Sequence, residues 1–455
     1  MNPQNSAPDP PFPLASTEQI DTAAPLPGTP PQSPPPTRTL LPGIPVASLT
    51  LYATYAALIG VLLPSQIAVL DEENKVGNFA IVTTTSFVFT LFAQPIVGAI
   101  SDRTRSRLGR RAPWMILGAL IGGVLMLGLG SFTSLVWITV FWVVIQVALN
   151  ALQGPFSAIT ADRFPRNKRG TASAMAGIGM QIGGTLGVLA AGALAGALGI
   201  AYSAFGIAII LTTVLFIVVN RDWSSAHSQV PAWSWSAFLR GFWINPRKNP
   251  DFAWAFTARF LFILGYFVVS TFQLYIITDY IGMSLEDAQT AIGTIALASL
   301  LPTMAAIVLA GWWSDRVGRR KVFIYAASVI MVVSLAIPLF NRTLEGLILS
   351  AVIDGIGFGF YMACDTALMT GVLPGAGAAA GKDLGILNIA TNIPQAMSPA
   401  IAGVIIGTAG GYPALFAFGM VAVVLAAIAF APICSVKQGR PCERAGTSPR
   451  RRVAR

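Results

Sequence analysis

Twelve apolar stretches, each long enough to cross a lipid bilayer as a helix, limit what this chain can fold into. A spanning helix needs roughly 17–25 mostly apolar residues. The stretches lie at 45–70, 77–100, 113–131, 134–160, 171–198, 200–220, 252–279, 288–313, 322–341, 345–372, 384–408 and 412–435. Only 11% of the residues are charged, against about 25% in typical soluble proteins. Because strand-length alternating segments are absent from the sequence, we predict an all-α integral membrane protein with twelve transmembrane helices.

The loops that follow even-numbered spans are basic. Together with the C-terminal tail they hold 25 of the 29 Lys and Arg residues, whereas the other loops hold only Lys75 and Arg342. Basic loops face the cytoplasm in membrane proteins. We therefore predict a multi-pass protein of the plasma (inner) membrane with both termini cytoplasmic. Since orientation explains the net charge of +10, no nucleic-acid partner is expected.

The spans divide the chain into five regions. Residues 1–44 contain thirteen prolines and predict a disordered cytoplasmic arm. Residues 45–220 and 252–435 predict two six-helix bundles. The linker 221–251 mixes tryptophans with basic residues, which favours a helix at the membrane interface, and 436–455 predicts a basic cytoplasmic tail.

One polar string occurs twice, once after span 2 and once after span 8. The positions that carry it are Gly98, Asp102, Arg103, Gly109, Arg110 and Arg111 in the first copy, and Gly311, Asp315, Arg316, Gly318, Arg319 and Arg320 in the second. The two aspartates lie 213 residues apart, each at the same place within its own set of six spans. This spacing predicts two halves related by a parallel pseudo-repeat.

The chemistry of these two loops predicts a conformational lock. An aspartate at the end of one helix can pair with an arginine across a short turn, and glycine allows close backbone approach. Such a pair can hold two helices together in one state and release them in another. The alternative, that cytoplasmic loops are simply basic, does not account for the same string twice at one topological position.

Three segments carry a family resemblance that covers about residues 45–435. They read SDRTRSRLGRRAPW, GPFSAITADRFPRNKRGTASA and LPGAGAAAGKDLGILNIATNIPQAMSPAIAG. They resemble the major facilitator superfamily, and within it the plant sucrose transporters and the bacterial glycoside–pentoside–hexuronide cation symporters. The resemblance implies the major facilitator fold with cytoplasmic signature loops. It also implies a sugar or glycoside substrate, cation coupling, and a central cavity lined by spans 1, 4, 7 and 10.

Span 10 carries two acids on one helical face, Asp354 and Asp365, with Phe358 and Tyr361 between them. Acids inside a membrane often relay protons, so Asp354 is the predicted proton carrier and Asp365 a second coupling candidate. Asp365 could instead pair with signature-loop arginines. Asp354 could instead be a structural hydrogen-bond partner between helices.

Span 7 carries Arg259, Tyr266, Ser270 and Gln273 at helical spacing on one face. We predict that Arg259 pairs with Asp354 or Asp365 and exchanges partners during transport. The alternative is that its long side chain reaches the nearby membrane surface.

Amides form two further stripes, one on span 4 and one on span 11. The candidates for a substrate cavity are Gln146, Asn150 and Gln153 on span 4, Asn388 and Asn392 on span 11, and Tyr266, Ser270, Gln273, Phe358 and Tyr361 on spans 7 and 10. Amides suit sugar hydroxyls because they both donate and accept. They also join membrane helices in a purely structural role.

These features predict a secondary transporter that takes up a sugar or glycoside by alternating access. Proton coupling is preferred, with sodium as an open variant. Efflux of a drug or metabolite by proton antiport, and a transporter-derived receptor or membrane enzyme, are the alternatives. The spans contain no histidine and no clustered nucleophile or metal ligands, so we expect no enzyme activity, no cofactor and no metal site. A monomer is expected.

Overall fold

Helices account for nearly all of the chain that the computed structural model describes. The described residues are 39–164, 166–225, 247, 249–317, 320–372, 380–408 and 410–433. No β-strand occurs within these ranges. The predicted all-α membrane architecture is confirmed.

Each predicted span corresponds to a helix or to a short series of helices. Spans 2 to 6 are Lys75–Ser101, Ala112–Leu129, Leu135–Arg163, Arg166–Leu194 and Leu198–Val219. Spans 8 to 12 are Leu285–Val317, Arg320–Phe340, Leu344–Val372, Ala380–Thr408 and Gly411–Phe430. Spans 1 and 7 are interrupted.

Among the described residues, eleven helical runs are long and apolar enough to span a membrane, and one of them, Lys168–Val219, is 52 residues long. The 3-10 turn Ala195–Ala197 divides this run into spans 5 and 6. The chain reverses there, because span 5 runs parallel to span 1 whereas Phe216, near the end of span 6, lies beside Gly43 at the start of span 1.

Spans 1 and 5 pack through three glycines spaced four residues apart. The close approaches are Gly179 to Pro45, Gly183 to Leu49 and Gly187 to Ala53. A Cβ atom at any of these glycines would overlap the backbone of span 1. Close packing through small residues is a common way for helices to associate in a membrane, where hydrophobic burial supplies little driving force.

Spans 1 and 7 differ from the continuous helices that the sequence predicts. Span 1 consists of Leu40–Ala57, the π-helix Leu58–Leu62 and Leu63–Leu70; span 7 consists of Pro250–Ser270, Gln273–Tyr275 and the π-helix Ile276–Ile281. In span 1 the interruption precedes Pro64, whose ring lacks the N–H that a regular helix needs. The two interrupted regions meet, since the Tyr275 hydroxyl donates to the Pro64 carbonyl at 2.9 Å.

The first helix begins at Leu40, five residues before the predicted start at Pro45. Pro42 lies in its first turn, where a missing N–H costs no helical hydrogen bond. The rest of the predicted arm, most of the linker 221–251 and the tail 436–455 lie outside the described residues. The boundaries of the five regions therefore stay predictions.

The two halves, spans 1–6 and 7–12, meet through span 2 with span 11 and span 5 with span 8. We call the end that carries the loops after spans 2, 4, 6, 8 and 10 the basic end, and the other the opposite end. Near the opposite end, Gln289 of span 8 donates to the Ser65 hydroxyl of span 1 at 2.9 Å. Phe79 of span 2 lies edge-on against Tyr275 of span 7. The halves are thus in contact at the opposite end.

Candidate functional site

Spans 7 and 10 face each other through a ladder of four rungs, of which the first three are side-chain contacts. From the basic end these are Arg259 with Asp365, Phe262 with Tyr361, and Tyr266 with Phe358. At the fourth rung Ser270 and Asp354 line the same cavity. Each step of three or four residues along one helix is matched by an opposite step along the other, as antiparallel helices require. The two polar stripes predicted from the sequence are therefore brought together.

The two middle rungs of the ladder are stacked aromatic rings. The ring centroids of Phe262 and Tyr361 are 3.7 Å apart with an angle of 6° between the planes. Those of Tyr266 and Phe358 are 4.5 Å apart at 22°. Stacked rings pack closely and exclude water. They separate the Asp354 end of the ladder from the Asp365 end.

Arg259 is held by two helices at the basic end of the ladder. Its Nη1 is 2.6 Å from Oδ2 of Asp365, and its Nε and Nη2 both donate to the Thr391 hydroxyl of span 11, at 3.1 and 2.8 Å. The Asp365 side chain is 1% exposed and that of Arg259 13%. Arg259 therefore lies inside the second half instead of reaching the membrane surface. Of its two predicted partners it pairs with Asp365, and Asp365 does not pair with the first signature loop.

Asp354 lines a cavity of about 80 Å³ between spans 7, 9, 10 and 12. Ser270 and Gln273 of span 7, Ser334 of span 9 and Ser350 of span 10 also line it. No lysine or arginine is among its described lining residues. Asp354 thus lies within the second half, whereas the resemblance implied a face toward a cavity between the halves.

The amide stripe of span 4 makes its contacts inside the first half. Gln153 donates to the Tyr52 hydroxyl at 3.0 Å and accepts from the Tyr55 hydroxyl at 3.4 Å. Asn150 donates to the backbone oxygen of Gln146, and Gln146 is only 1% exposed. In this conformation Gln153 positions two tyrosine rings, and Gln146 does not line an open cavity.

The amide stripe of span 11 reaches across to the first half. Asn392 donates to the Gln94 side chain of span 2 at 3.4 Å. Its neighbour in the sequence, Thr391, accepts hydrogen bonds from Arg259. Consecutive residues of span 11 therefore contact the buried ion pair and the first half. The side chain of Asn388 lies outside the described residues.

The first signature loop is organised around Arg111. Its guanidinium contacts Asp102 at 2.5 Å and Asp162 at 3.0 Å, and it donates to the Ser101 hydroxyl at 2.7 Å. Arg110 adds a contact of 2.9 Å to Asp162. These residues join the ends of spans 2 and 4 to the start of span 3. The predicted pairing of aspartate with arginine in this loop occurs, within one half.

The glycines of the two signature strings differ from the sequence interpretation. Gly98 and Gly311 lie within helices, and a Cβ atom at either would meet open space. The prediction that these glycines allow close backbone approach is therefore wrong for Gly98 and Gly311. Gly109 does need to be glycine, because its φ is +91° and a Cβ atom there would lie 2.7 Å from that of Asp222.

The start of the linker docks on this first loop. Ser225 exchanges backbone and side-chain hydrogen bonds with Ser106, and its hydroxyl donates to the Thr104 carbonyl at 2.8 Å. Asp222 pairs with Arg163 at 3.3 Å. Thr104 and Ser106 belong to four residues that the second copy of the string lacks. The longer first loop therefore binds the linker.

The second copy of the string is described only in part. Arg316 stacks over the Trp312 ring at 3.9 Å, and both lie in the last turns of span 8. Gly318, Arg319 and the side chains of Asp315 and Arg320 lie outside the described residues. The predicted pairing in this copy stays a prediction.

Several residues of these contacts were not singled out from the sequence, among them Gln94, Ser334, Ser350 and Thr391. Gln94, Ser334 and Ser350 are single polar residues between apolar neighbours, and Thr391 lies beside the predicted stripe residue Asn392. Their positions depend on how neighbouring helices pack.

Comparison with known proteins establishes the family. The chain matches the Major Facilitator Superfamily over residues 46–290 and 255–445. It belongs to the major facilitator superfamily. It is therefore a transporter rather than an enzyme, and the fold and the repeat-based resemblance are confirmed.

Within the superfamily, the chain is similar to two sucrose transport proteins of Arabidopsis thaliana. It is 31% identical to SUC4 over 116 residues and 29% identical to SUC3 over 120 residues. These matches span 22% and 20% of the two plant proteins and 21% of this chain in each case. The chain is also 26% identical to the MFS transporter asaE of Aspergillus flavus, over 71% of this chain and 70% of that protein.

Solved structures share the fold. The nucleoside transporter NupG, in a mutant form, superimposes with a TM-score of 0.70 at 16% identity, covering 86% of this chain and 98% of NupG. A bacterial homologue of the human lysosomal transporter Spinster, in an inward-facing and unoccupied conformation, gives 0.61 at 15% identity, covering 88% and 96%. At these identities the likeness concerns the fold alone.

Proposed function

We propose that this transporter takes up a sugar or glycoside together with a proton, by alternating access of the two halves. The observation that carries the proposal is Asp354, a carboxyl group deep in the second half whose cavity is lined by hydroxyls and an amide. A buried carboxylate without a basic partner binds a cation or a proton. With no second carboxylate in the described lining, we favour the proton over sodium.

The sugar substrate is supported by the likeness to sucrose transport proteins. Polar groups suited to hydroxyls occur in both halves. Tyr52 and Tyr55 present rings and hydroxyls in the first half, and Asn392 meets Gln94 between the halves. A ligand that is bound at this interface would contact both halves and move with their rocking.

The proposed orientation assigns an outer and an inner end to the molecule. We assign the basic end to the cytoplasm of a plasma membrane, because Lys and Arg accumulate on that side. The opposite end, where the halves touch, then faces outward. In uptake this end opens to admit substrate from outside and closes again before release to the cytoplasm.

The test measures external pH in de-energised cells that express the protein, while a panel of sugars and glycosides is added. We expect alkalinisation with at least one sugar, and its loss in Asp354→Asn, which keeps the shape but cannot ionise. Asp287→Asn is the matched control, since Asp287 binds Ser284 at the start of span 8. The control should behave as the unmodified protein.

Two results would overturn the proposal. Normal alkalinisation in Asp354→Asn would remove Asp354 from coupling. If no sugar changes the pH although the protein is inserted normally, sodium coupling or proton-driven efflux replaces sugar–proton uptake, and a sodium-dependence assay and a drug-accumulation assay decide between them.

A further inference from the structure

The cavity beside Asp354 lies within the second half and borders the seam between the halves along span 7. It is enclosed by spans 7, 9, 10 and 12, all in the second half. The seam is formed by spans 2, 5, 8 and 11 together with the interrupted regions of spans 1 and 7. Gln273 and Ile276 belong to the interrupted region of span 7, whereas the lining residues on spans 9, 10 and 12 lie away from these seam elements.

The cavity lies in the outer part of the second half. On span 10 it extends from Asp354 to Leu347, three residues from the end of that helix, and on span 9 it reaches Pro338, two residues from the end. Seven residues of helix correspond to about 10 Å. The cavity thus connects mid-membrane depth with the region just below the opposite surface.

The two ends of the cavity differ in the residues that close them. At the surface end the lining consists of Ile276, Pro338, Leu347 and Phe416, and the ring centroid of Phe416 lies 5.7 Å from that of Tyr280. At the other end Tyr266 stacks on Phe358, and the second stacked pair lies one turn further toward the basic end. Two successive ring pairs thus lie between the cavity and the basic end, whereas at the opposite end the cavity reaches to within three residues of the helix ends.

Among the described residues that line the cavity, no charged side chain could pair with the Asp354 carboxylate. The described lining from spans 7, 9, 10 and 12 contains one other titratable group, Tyr266. Span 8 brings Ser299 and Thr303 against Gly355, and neither is charged. Apart from Tyr266, no titratable side chain among these described neighbours could exchange a proton with Asp354.

We propose that Asp354 is reached from the opposite end through the interior of the second half, by a route distinct from the substrate passage between the halves. That the route carries the coupling proton rests on the proposed function. It follows that Asp354 can be protonated while the seam is still closed to substrate.

The experiment compares two cysteine reporters in a protein whose native cysteines are replaced and whose seam is cross-linked through Ser65→Cys and Gln289→Cys. The reporters are Ser350→Cys in the cavity and Gln94→Cys between the halves. Silver ion, a small thiol-reactive cation, is added from the opposite end. The remaining thiol is counted with a maleimide after denaturation.

We expect reduction of the cross-link to change the rate at Ser350→Cys by less than about twofold and to raise the rate at Gln94→Cys at least tenfold. Ser334→Cys is a second cavity reporter if Ser350→Cys does not fold. Equal, slow rates that both rise when the cross-link is reduced would overturn the separate route. Fast labelling without sugar-induced alkalinisation would leave the route standing and refute the proposed function, whereas the reverse combination would refute the route alone.

Discussion

Lys75 at the start of span 2 and Asp279 at the end of span 7 form an ion pair of 2.6 Å that joins the two halves. The hydroxyl of Tyr412 donates to the second oxygen of Asp279 at 2.7 Å, and that of Thr278 to the first at 2.8 Å. The side chains of Lys75 and Asp279 are 12% and 26% exposed. Because the pair crosses the seam at the opposite end, it must break whenever that end opens.

Asp279→Asn should therefore favour opening of that end. Losing a partly exposed ion pair costs the closed state about 1 kcal/mol, which corresponds to roughly a fivefold larger open population. The measurement is the labelling rate of a Ser65→Cys reporter from the opposite side. Asp71→Asn, which removes a charge that binds Asn74 and Asn78 at the same end, is the control. Equal rates in both variants would show that the pair does not hold the seam.

Removing Arg259 should destabilise the second half strongly. Arg259→Gln leaves the Asp365 carboxylate buried without its partner, which costs about 3–5 kcal/mol. Thermal or denaturant-induced unfolding of the detergent-solubilised protein measures the loss of stability. The double variant Arg259→Gln with Asp365→Asn carries no buried charge at this pair and should recover most of the lost stability. A double variant as unstable as the single one would mean that charge pairing is not what holds this site.

Two glycines of the first signature string should respond in opposite directions to alanine. Gly109→Ala introduces a Cβ atom at positive φ beside Asp222 and should cost about 1–3 kcal/mol. Gly98→Ala lies in a helix facing open space and should gain about 0.5–1 kcal/mol. Melting temperatures of the two variants in one detergent test this pair. Similar shifts for both would contradict the described loop conformation.

Arg111 and Arg110, adjacent in sequence, should differ in their tolerance of lysine. Arg111 is 8% exposed and binds two aspartates and Ser101, a geometry that lysine cannot reproduce. Arg111→Lys should cost about 2 kcal/mol. Arg110 is 41% exposed, so Arg110→Lys should change the free energy of unfolding by less than about 1 kcal/mol. Thermal unfolding in detergent measures both, and equal losses would remove Arg111 from the centre of the cluster.

Helical spacing was enough to predict which residues share a face. Arg259 and Tyr266 on span 7, and Asp365 and Phe358 on span 10, were grouped in this way, and the structure sets the two groups opposite each other. Spacing does not say which helix a face meets. The partner of Asp365 therefore stayed open between Arg259 and the signature-loop arginines until packing was known.

The contacts of single polar residues and the interruptions of spans 1 and 7 could not be predicted from the sequence. Thr391 lies three residues after Asn388 and four before Gln395, yet nothing in the sequence shows that its hydroxyl accepts two hydrogen bonds from Arg259. The π-helices of spans 1 and 7 likewise leave no mark on hydrophobic periodicity, because an interruption of a few apolar residues preserves the apolar run. Both features arise from contacts between segments far apart in the chain.

The glycine seam between spans 1 and 5 limits which sequences can encode this fold. At Gly179, Gly183 and Gly187 the neighbouring backbone occupies the space that any other side chain would need. Each position thus admits glycine alone, and a change at one cannot be offset by trimming a neighbouring side chain, since the obstacle is main chain. Variation in this half of the protein must be accommodated elsewhere, which makes these three positions among the least mutable of the first bundle.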